Sequence, residues 1–265
     1  MSDELKQSNE ADIPHSARIW NYWMGGEDNT EIDRIVGDAG IAIFPGVTDM
    51  ARQSRQFLFR AVRYLAGEAG IRQFLDIGTG LPVMQNTHEV ARSVAPESKI
   101  VYVDNDPLVL AQGRKALEST GAEGAAVYID ADYNNPEQII SGARDLLDFS
   151  QPVAVMFMGV LGHAGSYENM RRIVSSFMDA VPSGSYLVAY DGTTDDDGYV
   201  KLCEEYAKSG GVPYTPRTRQ QLEGSFEALE LVAPGYVSLT QWRPDGVEEG
   251  TPKEIGAYCG VGRKP

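Results

Sequence analysis

Short apolar runs alternate with amphipathic stretches along most of the chain after Arg72. The runs are rich in β-branched and aromatic residues and nearly continuous in apolar character, which is typical of strands buried on both faces of a parallel sheet. Repeated strand–helix units of this kind predict an open, doubly wound α/β sheet. The predicted strands are 73–77, 99–104, 125–130, 152–158 and 185–190. The predicted intervening helices are 84–94, 107–119, 136–146 and 167–180.

The end of the chain follows a different pattern. Two helices are predicted at 195–209 and 216–223, and strand-like runs follow at 226–232 and 255–262. Turn signals such as Pro234-Gly235 separate the two runs. With the five earlier strands, they predict a sheet of seven strands.

The region before the sheet is predicted to be helical. A short element covers 17–23, and a second helix begins near Asn29. A long helix follows Thr48, whose side chain suits an N-cap, with Asp49 favourably placed in the first turn. We divide the chain into a disordered tail (1–12), a helical extension or lid (13–70) and a ligand-binding sheet domain (71–265).

Composition argues against several classes of protein. The formal net charge is −15 and no long basic run is present, so a nucleic-acid partner is not expected. Cys203 and Cys259 are too few and too far apart for a zinc ligand set or a disulfide framework. No apolar stretch reaches the roughly 18–20 residues that cross a bilayer, and the start MSDELKQSNEAD lacks the apolar core of a signal peptide. We expect a soluble, cytoplasmic protein without a membrane partner.

The sharpest local pattern is DIGTG at 76–80, at the carboxyl end of the first predicted strand. Ligands bind at such strand ends in open α/β sheets, where Gly78 and Gly80 would let the backbone approach a ligand closely and Asp76 could bind an amino group. Paired glycines can also form a simple turn, so the motif is weak by itself.

Acidic residues at the next two strand ends strengthen the ligand interpretation. Asp104, followed by Asn105, could accept hydrogen bonds from both hydroxyls of a ribose. Asp132 could accept from the exocyclic amine of adenine, and Tyr133 could stack on its ring. Acids at strand ends also cap turns and helices, and this is the better interpretation of Asp106, which precedes a proline.

The pattern distinguishes between nucleoside ligands. In the dinucleotide fingerprint G-x-G-x-x-G/A, the third small residue would fall at Val83, so the fingerprint fails. No G-x-x-x-x-G-K-[ST] phosphate loop is present either. A nucleoside site without a pyrophosphate cradle favours S-adenosylmethionine, whose cationic groups need acids and carbonyls nearby.

The sequence resembles a bacterial family of predicted S-adenosylmethionine-dependent methyltransferases, long catalogued as a domain of unknown function. The resemblance rests on FLDIGTGLPVMQNTHEVARSVAPESKIVYVDNDPLVL, on the upstream runs PHSARIWNYWMGGEDNTEIDR and FPGVTDMARQSRQFLFRAVRYLA, and on the downstream runs GSYLVAYDG, PRTRQQLEGSFEALELVAPG and QWRP. It implies a Rossmann-like, mostly parallel seven-stranded sheet with an antiparallel terminal strand. One departure is Pro82, which replaces the third glycine of the general D-x-G-x-G-x-G pattern.

The resemblance also implies a set of cofactor-binding positions. These are Asp76, Gly78, Gly80, Asp104, Asn105, Asp132 and Tyr133. A glycine-hinged segment ahead of the sheet belongs to the family signature, and its position suggests a lid over the cofactor. Its proposed contacts are Arg18, Tyr22, Gly25, Gly26 and Asn29.

The methyl-transfer site is expected just after the fourth strand. Met158 and Gly159 are predicted to line the cofactor, and the D/N-P-P-Y run of many amino-group methyltransferases is absent there. His163 could be a general base, because an unperturbed histidine titrates at about 6.5. A loop histidine with a structural role is the commoner case and remains the alternative.

No metal site is expected. Asp191 and the acids 195–197 follow the fifth strand, but Thr194 and the acids after it are typical of a helix N-terminus.

The leading hypothesis for the function is methyl transfer to a small-molecule acceptor. The alternatives are a non-catalytic sensor that binds the cofactor and a nicotinamide-dependent oxidoreductase, which the failed fingerprint disfavours. The sequence specifies neither the acceptor nor the oligomeric state.

Overall fold

A computed structural model describes residues 13–83, 85–245 and 253–265. The tail expected at 1–12 and the predicted first residue of the helix 84–94 lie outside the described residues. The strands are β1 (Gln73–Ile77), β2 (Lys99–Asp104), β3 (Ala126–Asp130), β4 (Ala154–Met158), β5 (Tyr186–Gly192), β6 (Glu230–Leu231), β7 (Val237–Ser238) and β8 (Ala257–Arg263). The helices are α1 (Ser16–Trp23), α2 (Glu31–Ile43), α3 (Val47–Gly67), α4 (Thr87–Val94), α5 (Pro107–Thr120), α6 (Pro136–Ala143), α7 (Tyr167–Ala180), α8 (Asp197–Tyr206) and α9 (Arg219–Glu223).

All these strands join one sheet in the order β3-β2-β1-β4-β5-β8-β6, with β7 also paired to β8. Strands β1 to β5 are parallel, and β8 runs antiparallel to β5, β6 and β7. The chain leaves β1 towards β2 on one side and returns to β4 on the other. The connections therefore diverge at the carboxyl ends of β1 and β4, where α/β sheets open a crevice for a ligand.

The predicted fold class is confirmed, although the sheet has eight described strands rather than seven. The run 226–232 starts at the end of a 3₁₀ turn, Gly224–Phe226, and only Glu230 and Leu231 of it form a strand beside β8. The extra strand is Val237–Ser238, which pairs with Cys259 and Tyr258. A strand of two residues is too short to leave an alternating pattern in the sequence, so tertiary pairing alone reveals it.

Both faces of the sheet are buried, as the continuous apolar strands predict. Phe74 of β1 packs in one core with Phe57 and Leu65 of α3, whereas its neighbour Leu75 packs in the other core with Phe177 of α7. The region 13–70 and the sheet thus share a hydrophobic core. The three-part division of the chain remains a prediction.

The helix starts test the predicted caps. Asp106 caps α5 as predicted, because its Oδ1 accepts from the N–H of Leu108 at 2.8 Å. Thr48 is not an N-cap: α3 already begins at Val47, so the Thr48 hydroxyl donates back to a carbonyl instead. The start of α8 is capped by Asp196 rather than Thr194, since the Asp196 carboxylate reaches the first free N–H groups.

Candidate functional site

A cavity of about 270 Å³ lies at the carboxyl ends of β1 to β5, and we call it the strand-end cavity. Strand ends supply its floor, while α1 and α3 supply its cover. Ten of the predicted site residues line it: Asp76, Gly78, Gly80, Asp104, Asn105, Asp132, Tyr133, Met158, Gly159 and His163. The sheet brings these positions together because parallel strands end at the same edge.

The loop after β1 takes a path that only glycine allows. Gly78 has φ +67°, and a Cβ there would lie 2.5 Å from a methyl group of Val160. Any larger residue would therefore strain the backbone and displace the chain after β4. This close approach brings the ends of β1 and β4 together at the centre of the cavity.

Asp104 fastens this loop to the end of β2. Its Oδ2 accepts from the N–H of Gly80 at 2.9 Å, and its Oδ1 accepts from the N–H groups of Asn105 and Asp106 at 2.9 and 3.0 Å. Burial raises the pKa of the Asp104 carboxyl, and the hydrogen bonds from Asp106 and Gly80 oppose that rise. A carboxylate has about four acceptor sites, so Asp104 can still accept from a ligand hydroxyl.

Asp76 is a buried acid that lacks a full set of partners. Only 2% of its surface is exposed, and its Oδ2 accepts from the hydroxyl of Thr87 at 2.6 Å. Its Oδ1 is buried without a hydrogen-bond partner among the described residues. Burial raises the pKa of Asp76 to about 6, against the opposing effects of Thr87 and the Arg55 guanidinium. Such an orphaned oxygen indicates a donor that a ligand would bring.

The end of β3 presents an acid and an aromatic ring. Asp132 is exposed, and its Oδ1 accepts from the backbone and side-chain amides of Asn134 at 2.9 and 2.8 Å. This Asx turn leaves Oδ2 for a ligand. The hydroxyl of Tyr133 donates to the carbonyl of Val160 at 3.2 Å and thereby fixes the half-buried ring.

His163 lies on a 3₁₀ helix, Leu161–Ala164, directly after β4. Its Nδ1 is 3.0 Å from the carbonyl oxygen of Pro213, and its ring meets the Tyr214 ring edge-on at 5.0 Å. Because a carbonyl only accepts, Nδ1 carries the proton of the neutral ring and Nε2 keeps the lone pair. Burial lowers the pKa of His163, with the Pro213 carbonyl opposing, so the ring is neutral at pH 7.

Helix α1 covers the cavity, but with other residues than the sequence indicated. The residues of this segment that line the cavity are His15, Ser16, Ala17, Trp20 and Met24. They face inwards because the helical period places positions 16, 17, 20 and 24 on one side of α1.

The five predicted contacts of the same segment do not line the strand-end cavity. Arg18 lies 3.3 Å from Asp106 and 3.6 Å from Asp33 through its guanidinium nitrogens. The Tyr22 hydroxyl donates to Asp38 at 2.7 Å. These side chains hold α1 against α2 and α5. The remaining three, Gly25, Gly26 and Asn29, form the turn that follows α1, where the Asn29 amide donates to Asn21 and to the Gly26 carbonyl.

Sequence reasoning missed the contribution of α3. Arg55 lines the cavity, and its guanidinium donates to the carbonyl oxygens of Val83 and Gln85 at 3.0 and 2.9 Å. Burial lowers the pKa of Arg55, whereas the nearby Asp76 raises it. The signal in the sequence was a polar pair, Ser54 and Arg55, among the apolar positions of the helix, but it does not indicate what the pair contacts.

Among the described residues, no group of three or more His, Cys, Asp or Glu side chains is arranged to hold a metal ion. Asp191 is instead buried in β5, where the Tyr214 hydroxyl donates to its Oδ1. Burial raises the pKa of Asp191 to about 7, and the hydrogen bond from Tyr214 opposes that rise. The acids of the following segment begin α8, as the Asp196 cap shows.

The geometry agrees with comparisons against known proteins. A family model described as S-adenosyl methyltransferase matches residues 2–265. The chain belongs to the S-adenosyl methyltransferase family. No curated protein shows significant similarity to the sequence.

Two solved structures share this fold over nearly the whole chain. A predicted methyltransferase from Thermobifida fusca is 39% identical, covers 96% of each chain and has a TM-score of 0.88. A DUF574 family protein from Streptomyces avermitilis is 41% identical, covers 97% of this chain and 99% of its own, and also has a TM-score of 0.88. An O-methyltransferase family protein from Burkholderia thailandensis, at 14% identity and a TM-score of 0.53 over 79% of this chain and 55% of its own, shows the fold alone.

The family resemblance inferred from the sequence is therefore confirmed, and so is the Rossmann-like fold that it implied. None of the helices in the described part of the chain has the length and apolar character needed to cross a membrane.

Proposed function

We propose that this chain is an S-adenosylmethionine-dependent methyltransferase that binds the cofactor in the strand-end cavity and acts on a small-molecule acceptor. The observation that carries the proposal is the orphaned Oδ1 of Asp76, buried beside a glycine loop at the point where the strand connections diverge. An ammonium group is the donor that a buried carboxylate accepts most favourably. The amino-acid end of the cofactor supplies one.

The other strand ends suit the remaining parts of the cofactor. Asp104 can accept from a ribose hydroxyl, and Asp132 can accept from the adenine amine while Tyr133 packs against its ring. Arg55, beside Asp76, is the cation that suits the carboxylate of the amino-acid end. Arg18, Tyr22, Gly25, Gly26 and Asn29 are not part of this proposed set, because the cavity does not include them.

Bound S-adenosylmethionine supplies an activated methyl group on a sulfonium, so the protein is asked mainly to align the acceptor and exclude water. Trp20 of α1 and Met24, which follows the helix, cover the cavity and reduce solvent access. His163, neutral and with its tautomer fixed by Pro213, can take a proton from the acceptor. These roles require no other chemistry from the chain.

Calorimetry with S-adenosylhomocysteine tests the cofactor proposal. We expect binding by the wild type, a loss of roughly tenfold or more in affinity for Asp76→Asn, and unchanged affinity for Asp130→Asn, an acid at the end of β3 that does not line the cavity. NAD and NADP serve as control ligands, since the failed fingerprint predicts no tight binding of either. Absence of S-adenosylhomocysteine binding by the folded wild type would contradict the proposal.

One observation supports a second candidate function, a sensor that binds the cofactor without transferring its methyl group. A neighbouring aromatic cavity, lined by Trp20, Trp23, Tyr199, Leu202, Tyr206 and Tyr214 with His163 at its edge, has a volume of only about 30 Å³. Such a space holds about one water molecule, which favours a sensor that binds the cofactor without an acceptor. Cofactor binding without formation of S-adenosylhomocysteine across a panel of phenols, amines and carboxylates would favour the sensor.

The proposal includes a cellular setting. Cys203 and Cys259 are both free and buried, which suits the reducing cytoplasm. The charge of −15 disfavours nucleic acid as the acceptor. Thiol titration of the protein from cells lysed under alkylating conditions tests the first point, and a filter-binding assay with DNA and RNA tests the second.

A further inference from the structure

The aromatic cavity adjoins the strand-end cavity at the side where the chain leaves β4. The two cavities share Ser16, Trp20 and His163. A molecule in the aromatic cavity would therefore meet His163 on the way to the proposed cofactor site. The aromatic cavity is thus a candidate for the acceptor side of the reaction.

The walls of the aromatic cavity carry no formal charge. Aromatic rings and aliphatic side chains dominate it, and no Asp, Glu, Lys or Arg is among its described lining residues. An ionised ligand group in such surroundings would lose its hydration without gaining a partner of opposite charge, at a cost of several kcal/mol. The lining therefore selects against charged acceptors and favours flat apolar ones, which stack well on aromatic rings.

Two close contacts show that the rings are held in place. A Cβ on Gly162 would lie 2.3 Å from the ring of Tyr214, and a Cβ on Gly192 would lie 2.2 Å from the ring of Tyr199. The Tyr214 hydroxyl also donates to Asp191, and the backbone of Thr215 donates to the carbonyl of Gly162 at 2.9 Å. The floor of the cavity is thus a packed pair of tyrosines.

A surface groove lies next to the aromatic cavity. It runs between α1, α2 and α8, has a volume of about 370 Å³, and shares Ile19, Trp23, Leu202 and Tyr206 with the aromatic cavity. Lys201, Glu205 and Lys208 of α8 and the segment after it are also among its lining residues. The side chains of Ile19, Trp23, Leu202 and Tyr206 thus form the wall between the groove and the aromatic cavity.

We propose that the aromatic cavity is the acceptor subsite and that its ligand is an uncharged, flat, largely apolar molecule that presents a hydroxyl group to His163. The inference rests on the proposed methyltransferase function. At about 30 Å³ the aromatic cavity holds only about one water molecule, so the proposal requires α1, whose residues line both cavities, to move outwards when the ligand binds. The buried hydroxyl of Tyr206 lacks a hydrogen-bond partner among the described residues and is available to it.

The transfer step balances with the groups present. The acceptor oxygen forms a bond to the methyl carbon as the carbon–sulfur bond breaks, and the sulfur keeps the electron pair of that bond. The hydroxyl proton moves to Nε2 of His163, which later releases it to solvent. The products are a methyl ether and S-adenosylhomocysteine.

Equilibrium dialysis with 2-naphthol and 2-naphthoate tests the subsite on the protein saturated with S-adenosylhomocysteine. We expect 2-naphthol to bind at least about tenfold more tightly than the anionic 2-naphthoate. Leu202→Trp fills the aromatic cavity and should weaken 2-naphthol binding by at least about tenfold. Glu204→Trp, on an exposed position of the same helix that lines none of these cavities, should change it by less than about twofold. Equal binding of the two naphthalenes, or 2-naphthol binding unaffected by Leu202→Trp, would overturn the proposal.

Two controls keep the outcomes separate. Leu202 does not line the strand-end cavity, so calorimetry with S-adenosylhomocysteine reports whether Leu202→Trp is folded. If that variant does not fold, Leu202→Ala replaces it and should bind the bulkier 9-phenanthrol at least about threefold more tightly than the wild type; equal binding overturns the proposal. Dialysis is also repeated without S-adenosylhomocysteine. If the protein does not bind S-adenosylhomocysteine but binds 2-naphthol in a way that depends on Leu202, the proposed function is contradicted and the subsite is supported.

Discussion

The carboxylate of Asp104 accepts a hydrogen bond from the backbone N–H of Gly80 at 2.9 Å. This contact joins the end of β2 to the loop that follows β1, so the acid expected to bind a ribose also shapes the glycine loop. A ligand and the loop then depend on the same side chain. Loss of Asp104 should therefore affect binding through both contacts.

Replacing Asp104 with Ala should lower affinity for S-adenosylhomocysteine by about 30- to 1000-fold. That range corresponds to about 2–4 kcal/mol for one or two lost hydrogen bonds to a charged group. Calorimetry provides the measurement, and Asp130→Ala at the neighbouring strand end is the matched control. An unchanged dissociation constant in a folded Asp104→Ala protein would remove Asp104 from the binding site.

The strand ends were predictable because strands and their carboxyl ends follow from local patterns in the sequence. The apolar runs show where the buried strands end and so locate Asp76, Asp104 and Asp132. Parallel pairing of the strands then brings these acids to one edge of the sheet. The cover of the cavity was not predictable in the same way. Whether Arg18 or Trp20 faces the cavity depends on how α1 docks against other elements, and a short helix pattern does not specify that orientation.

Arg55 illustrates a second limit. Its guanidinium reaches carbonyl groups of Val83 and Gln85, which lie 28 and 30 residues further along the chain. No local pattern encodes such a contact. The prediction that Thr48 caps α3 was wrong for a simpler reason. The helix begins one residue before Thr48 and uses no capping side chain.

Helix α1 should become more ordered when the cofactor site is filled. Ser16, Ala17 and Trp20 of the helix and its flanking residues His15 and Met24 line the cavity, so a ligand would add contacts along 14–29. We expect amide hydrogen exchange in 14–29 to slow when S-adenosylhomocysteine is added. Peptides from α7, which packs in the core on the opposite face of the sheet, should exchange at an unchanged rate. Protection confined to the strand ends would show that α1 is not a lid.

Binding of S-adenosylhomocysteine should weaken as the pH falls below about 6. The pKa of Asp76 is raised to about 6 by burial, so the acid is ionised above that pH and protonated below it. A ligand ammonium pairs only with the ionised form and lowers the pKa of Asp76 in the complex. The affinity should therefore fall by up to about tenfold per pH unit between pH 6 and the lower pKa of the complex.

Calorimetry at pH 5, 6, 7 and 8 provides this measurement, and Asp76→Asn is its reference. The amide does not titrate, so the affinity of the variant should be low and nearly independent of pH over this range. A wild-type profile as flat as that of Asp76→Asn would contradict the pairing of Asp76 with the ligand ammonium.

Methyl transfer should depend on His163 and not on a divalent metal. Removal of a general base costs about 10²- to 10⁴-fold in rate, so His163→Gln should lower kcat by that factor towards a hydroxyl acceptor. The wild-type rate should rise with pH until the ring is neutral, which occurs below the ordinary histidine pKa because burial lowers it. The variant should lose this dependence, because glutamine has no titrating nitrogen.

The metal requirement is measured by turnover in the presence of a chelator. Divalent metals assist transfer by binding and acidifying hydroxyl groups. A metal is not needed for this purpose if the His163 ring takes the hydroxyl proton of the methyl acceptor. Full activity in chelator is therefore expected, together with the loss in His163→Gln. Activity that disappears in chelator and returns with magnesium would contradict the metal-free prediction and make Asp191 and Asp195 candidate ligands. Full activity of His163→Gln at every pH would instead remove the base and leave alignment of the acceptor as the main catalytic effect.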